Sequence, residues 1–111
     1  MTRLLTVTTA ILTSVFLYSS AAAAQDKVAM GTGLITSQKC ILCHSIGERG
    51  NKKGPLDGVG KKYKAEEIRQ WLTNPDEMRA KTKATRTPAM KAPTLTPEQL
   101  DALVVYLETL K

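Results

Sequence analysis

The chain is poor in metal-binding and aromatic side chains. Its 111 residues include one histidine, two cysteines, one tryptophan, one phenylalanine and three tyrosines. Two cysteines and one histidine fall short of the four donors that a structural zinc site needs. So few aromatics leave no aromatic-interleaved basic platform, which argues against stacking on single-stranded nucleic acid. There is no internal repeat and no apolar–polar alternation of strand period. A βαβ setting, in which a Cys-x-x-Cys pair would work as a thiol–disulfide couple, is therefore missing.

Charge is almost absent from the first 24 residues, where Arg3 stands alone before Asp26. Leu4 to Tyr18 is an apolar run diluted by threonine and serine, and small residues follow from Ser19 to Ala24. Ala22-Ala23-Ala24 fits an A-x-A cleavage site, so residues 1–24 read as a secretory signal peptide, cut after Ala24. The competing reading is an uncleaved anchor, since Leu4 to Ala24 is 21 residues long. Its alanine- and serine-rich end favours cleavage. Residues 25–111 then form one small domain with a modest core of its own. The formal charge is +6. In an exported protein that balance points to an acidic protein partner rather than nucleic acid, and to a membrane only if the leader stays attached.

What the chain does have is concentrated in Cys40-Ile41-Leu42-Cys43-His44. Two thiols and an imidazole in this order form the attachment signature of c-type haem. Each sulfur adds across one porphyrin vinyl group, so the thiols must lie about one helical turn apart. The histidine that follows offers the iron a neutral nitrogen donor. A disulfide between Cys40 and Cys43 would close too small a loop to stabilise much. Export suits the chemistry, because free thiols do not persist in an oxidising compartment. A bound haem would also add the apolar surface that so short a domain lacks.

The pattern around this motif is helical, giving an all-α fold of three main helices and long loops around one covalently bound haem. Residues 25–32 read as a frayed lead-in, followed by a short amphipathic helix over Gly33 to Lys39 that buries Leu34 and Ile35. Ile46 to Gly60 carries five glycines and Pro55 and reads as loop. Tyr63 to Thr73 places Ile68, Trp71 and Leu72 on one helical face and ends at Asn74-Pro75. Asp76 to Leu95 is polar and interrupted by Pro88 and Pro93, so it reads as mostly loop, with at most a turn of helix over Asp76 to Arg79. Thr96 to Lys111 is the clearest helix. Thr96, Pro97 and Gln99 supply an N-cap, a first-turn proline and a capping box, and Leu100, Leu103, Val104 and Leu107 form its stripe.

A six-coordinate iron needs a second ligand. His44 is the only histidine, so a methionine thioether is the next choice. Met90 sits in a proline-stiffened loop just before the last helix and is the favoured donor. Met78 is the alternative, and Met30 lies too near the motif to reach the opposite haem face. The competing role for Met78 or Met90 is to fill a gap in the core.

These residues resemble the class I c-type cytochromes, the bacterial monohaem branch of the cytochrome c family, over nearly the whole domain. The resemblance runs through Cys40 to His44, Gly54-Pro55-Leu56-Asp57-Gly58-Val59-Gly60, Ile68 to Pro75, Met90, and Leu103 to Leu107. It implies that the Pro55 carbonyl accepts a hydrogen bond from Nδ1 of His44. It implies that the first and last helices cross, with Gly33 close to Tyr106, and that Trp71 either hydrogen-bonds a haem propionate or simply packs. Two departures stand out. Lys91 follows Met90 where a proline is common, and Ile35 and Thr36 replace the aromatic residue of the first helix, which predicts a looser crossing. The function implied is electron transfer between redox partners through His44 and Met90 in the periplasm. Two other readings are a haem subunit fixed in a larger periplasmic oxidoreductase and a peroxidase-like enzyme with an open iron site. The last lacks a second histidine to assist peroxide cleavage. Lys39, Lys52, Lys53, Lys61 and Lys62 beside the motif, with Lys83, Arg86 and Lys91 beside Met90, would ring the haem edge and steer the carrier to an acidic surface.

Overall fold

Helix α1 spans Thr2–Ser37 and runs through the stretch expected to fray. This computed structural model describes residues 2–111, and side chains from residue 20 onward. The expected leader, residues 1–24, therefore lies for the most part outside the described side chains. Among the described residues, no helix is long and apolar enough to cross a membrane.

The reason for the longer helix lies in its packing. Gly31, Leu34 and Ile35 follow helical spacing and are buried together, which places them on one face. A Cβ on Gly31 would meet the Ala102 carbonyl oxygen and the Tyr106 Cβ, each at 2.5 Å, so glycine lets the two backbones touch. Gly33 is exposed, and a Cβ there would have nothing within 4 Å. The crossing glycine is thus Gly31, not Gly33. Two interior glycines cost a helix about 1 kcal/mol each, and the tertiary contact of α1 outweighs that.

Beyond α1 the chain makes a 3-10 turn at Cys40–Leu42 and two short strands, β1 (Ser45–Ile46) and β2 (Arg49–Gly50). The strands pair antiparallel, with Ser45 opposite Gly50 and Ile46 opposite Arg49. The long loop is therefore pinned by a small hairpin that the glycine content hid. Four helices follow: α2 (Val59–Lys62), α3 (Ala65–Thr73), α4 (Pro75–Thr82) and α5 (Pro97–Glu108).

Helix α4 occupies part of the stretch expected as loop. Asn74 closes α3, its N–H donating to the Gln70 carbonyl at 2.7 Å. It also opens α4, its side-chain amide donating to Glu77 Oε2 at 2.6 Å, with Pro75 in the first turn. The Asn-Pro pair separates two helices rather than ending helical structure. Burial of Pro75 and Met78 holds the second one in place.

Helix α5 has the expected capping box. Thr96 Oγ1 accepts from Gln99 N–H at 3.2 Å, and Gln99 Oε1 accepts from Thr96 N–H at 2.9 Å. The core joins Leu34 and Ile35 of α1, Ile68 and Leu72 of α3, and Ala102, Leu103, Val104 and Leu107 of α5. A fully buried leucine such as Leu103 contributes about 1.5–3 kcal/mol. An ion pair between Arg69 and Asp101 at 2.6 Å ties α3 to α5. Both partners are partly exposed, so it adds under about 1 kcal/mol.

Candidate metal centre

The motif begins where α1 stops. Lys39 takes a left-handed backbone, φ 58°, which swings the chain out of the helix axis. The N–H groups of Cys43 and His44 then both donate to the Cys40 carbonyl, at 3.1 and 2.9 Å. Cys40 and Cys43 are consequently one turn apart, and His44 follows at the end of that turn. Both thiols are free. Cys40 is half-buried, and burial pushes its thiol pKa up, against the backbone hydrogen bond that lowers it. Cys43 is exposed.

Asn51 fixes this turn, and nothing in the sequence singled it out. Its backbone N–H donates to the carbonyls of Ile41 (3.1 Å) and His44 (2.9 Å), and its side-chain amide donates to the Leu42 carbonyl at 3.2 Å. Gly50, just before it, has φ 93° and lies against the His44 carbonyl, where a Cβ would collide. A glycine followed by an asparagine in a polar loop was the available signal, and it carries no hint of its target.

His44 Nδ1 lies 3.0 Å from the carbonyl oxygen of Gly54. A carbonyl can only accept, so Nδ1 carries the proton and Nε2 keeps its lone pair, the state required of a metal ligand. Burial lowers the imidazole pKa most, the bond to Gly54 opposes that, and the charge of Arg86 lowers it further. The ring is held neutral as a result.

The acceptor is Gly54, not Pro55. The Gly54 carbonyl also takes the Ser45 N–H at 3.1 Å, and the Ser45 carbonyl takes the Leu56 N–H at 2.8 Å. This ladder aims the Gly54 carbonyl at the motif and leaves Pro55, itself exposed, in a parallel bridge with Ser45. Ser45 is 1 % exposed, so the strand that carries His44 forward is anchored in the interior.

Met90 is half-buried and packs on the same apolar cluster that receives Cys40 and Ile41. Met78 lies deep in α4 at 2 % exposure. Trp71 presents the one buried side-chain nitrogen or oxygen without a hydrogen-bond partner among the described residues, its Nε1. Tyr63 meets its ring edge-on, with centroids 6.3 Å apart. A buried N–H left unpaired costs about 1–3 kcal/mol, and a carboxylate of a bound group would satisfy it. Two free thiols one turn apart, an imidazole with its lone pair free, a half-buried thioether and an orphaned indole N–H together fit a covalently attached iron porphyrin with propionate side chains.

Comparison with known proteins gives one family. The chain matches Cytochrome c over residues 28–111. No curated protein and no solved structure matches it.

Proposed function

The chain belongs to the cytochrome c family, which binds haem c covalently and carries electrons, and from that premise we propose that it is an exported, bacterial class I carrier of one haem, working between redox proteins. Bound there, the haem supplies a site that takes up and releases one electron at a time between Fe(III) and Fe(II). Cys40 and Cys43 hold it through thioethers. His44, through Nε2, and Met90, through its sulfur, would hold the iron. A thioether ligand beside the imidazole would raise the reduction potential. Trp71 would donate its indole N–H to a propionate.

The observation that carries this reading is the bond from His44 Nδ1 to the Gly54 carbonyl. It fixes the ring in the tautomer a ligand needs, at the end of a turn that spaces two thiols for two vinyl groups. Met90 supports its own role by packing on the cluster that receives Cys40.

Residues 1–24 act as a leader cut after Ala24, and the product works in the periplasm. The apolar run and the A-x-A site support this, and the family match starts shortly beyond that cut. Its partners are acidic redox proteins, whether oxidase, reductase or dehydrogenase. The contact face centres on Leu42, which is 67 % exposed between the two cysteines, with exposed Lys39 and Lys53 near it in the chain.

The test is the visible spectrum of the protein purified after export. A low-spin spectrum with the weak far-red sulfur–iron band, and colour that survives acid–organic extraction, is the expected result. A colourless, folded product with free or mutually bridged thiols would overturn the reading.

A further inference from the structure

Building on the haem-carrier reading above, we propose that Arg86 is a charge-bearing positioning residue of this site: its guanidinium, reaching from the Met90 loop to Gly54, sets the reduction potential upward. Three observations lead there. First, the Arg86 guanidinium lies against Gly54. A Cβ built on Gly54 would collide with Arg86 Nη1 and lie 2.7 Å from Cζ, and the same point abuts the Cys43 carbonyl oxygen. Second, Gly54 is the residue whose carbonyl orients His44. Third, Arg86 stands four residues before Met90, so one side chain bridges the loops that carry the two proposed ligands.

Among the described residues the charge of Arg86 has no ion-pair partner. The ion pairs among the described residues are Lys52–Glu48 and Arg69–Asp101, and neither includes Arg86. Its guanidinium lies against Gly54, whose carbonyl holds the imidazole ring. A fixed cation beside the ligand of a metal favours the metal state with one positive charge fewer. Arg86 therefore stabilises Fe(II) relative to Fe(III). It is exposed, so the effect weakens as salt rises. This role differs from partner steering, because it acts on the isolated protein.

The experiment is an equilibrium redox titration of the full haem-loaded chain, followed by absorbance at low and at moderate ionic strength. The variants are Arg86→Lys, Arg86→Gln and Arg86→Glu. At a fixed solution potential, Arg86→Gln is expected to lower the Fe(II)/Fe(III) ratio by about three- to tenfold, tenfold being about 59 mV for one electron. Arg86→Glu falls further, Arg86→Lys falls less than Arg86→Gln, and the spread narrows with salt. All keep the far-red band. Potentials equal to the parent overturn the proposal, as does Arg86→Lys falling as far as Arg86→Gln, which would mean packing rather than charge. Loss of the far-red band in Arg86→Gln overturns it too, because the shift would then follow from lost sulfur ligation. Flat potentials in haem-loaded variants defeat the proposal alone, whereas a parent chain that takes up no haem defeats the carrier reading and this proposal with it.

Discussion

Gly54 and His44 are joined by a hydrogen bond of 3.0 Å between a backbone carbonyl and Nδ1 of the ring. The bond reaches across ten residues that include the β1–β2 hairpin, and Gly54 has room for nothing larger. Gly54→Ala would drive a methyl into the Arg86 guanidinium and the Cys43 carbonyl. Overpacking of this kind costs about 1–3 kcal/mol. A urea titration of the holoprotein should show that loss, along with a shifted reduction potential as the acceptor moves. Pro55→Ala should change both only slightly, because Pro55 is exposed and its carbonyl is not the acceptor. Equal damage from the two substitutions would return the acceptor role to Pro55.

Met90 and Met78 separate cleanly by what each loses. Met90 is half-buried in an irregular stretch, so Met90→Ala should cost little packing. It should abolish the far-red band and let the iron bind carbon monoxide or cyanide. Met78 is 2 % exposed inside α4, and Met78→Ala should cost about 2–5 kcal/mol while the band persists. Absorption spectra with and without added ligand, beside denaturation midpoints, decide between them. An intact band in Met90→Ala would move the ligand to Met78.

How much of this was legible beforehand follows from how local each feature is. Helix α5 could be read directly, because Thr96, Gln99 and the leucine stripe act within one element. Leu34 and Ile35 were readable as buried for the same reason. Helix α4 was not. Its start depends on Asn74 serving two helices at once, and its survival on the burial of Met78. The choice of Gly54 over Pro55 was beyond the sequence as well, since only the Ser45 ladder decides which carbonyl faces the ring. Asn51 and the contact of Arg86 with Gly54 were hidden for a related reason. Each acts on backbone far along the chain, and an asparagine or arginine in a polar loop looks like any solvated residue.

The two glycines of α1 should respond with opposite sign. Gly31 touches the backbone of α5, and Gly31→Ala would push α1 away from Ala102 and Tyr106 of α5, at about 1–3 kcal/mol. Gly33 faces open space within the same helix. Gly33→Ala removes freedom from the unfolded chain and should stabilise by about 0.4–1 kcal/mol. Denaturation midpoints of the two variants give the signs directly. Had the crossing been at Gly33, the signs would be reversed.

Neighbouring lysines near the motif should not weigh equally in partner capture. Lys52 is paired with Glu48 at 2.8 Å, with both side chains exposed, so the pair carries little net field beyond its own length. Lys53 is exposed, and no described ion pair includes it. Steering of a basic carrier onto an acidic surface raises the association rate through the summed field, from tenfold to a thousandfold in all. Removing one unpaired charge at the contact face should therefore cost a visible share of that gain. For Lys53→Gln the expected slowing is about three- to tenfold at low ionic strength, measured by stopped-flow electron transfer with an acidic partner. Replacing both members of the pair, Lys52→Gln with Glu48→Gln, should change the rate by less than about twofold, because together they carry no net charge. Raising the salt should slow the parent and bring all three rates together, since exposed charges are screened beyond about 8–10 Å under those conditions. Rates that do not move with salt in the parent would remove the acidic-partner reading and leave the lysines as solvated surface.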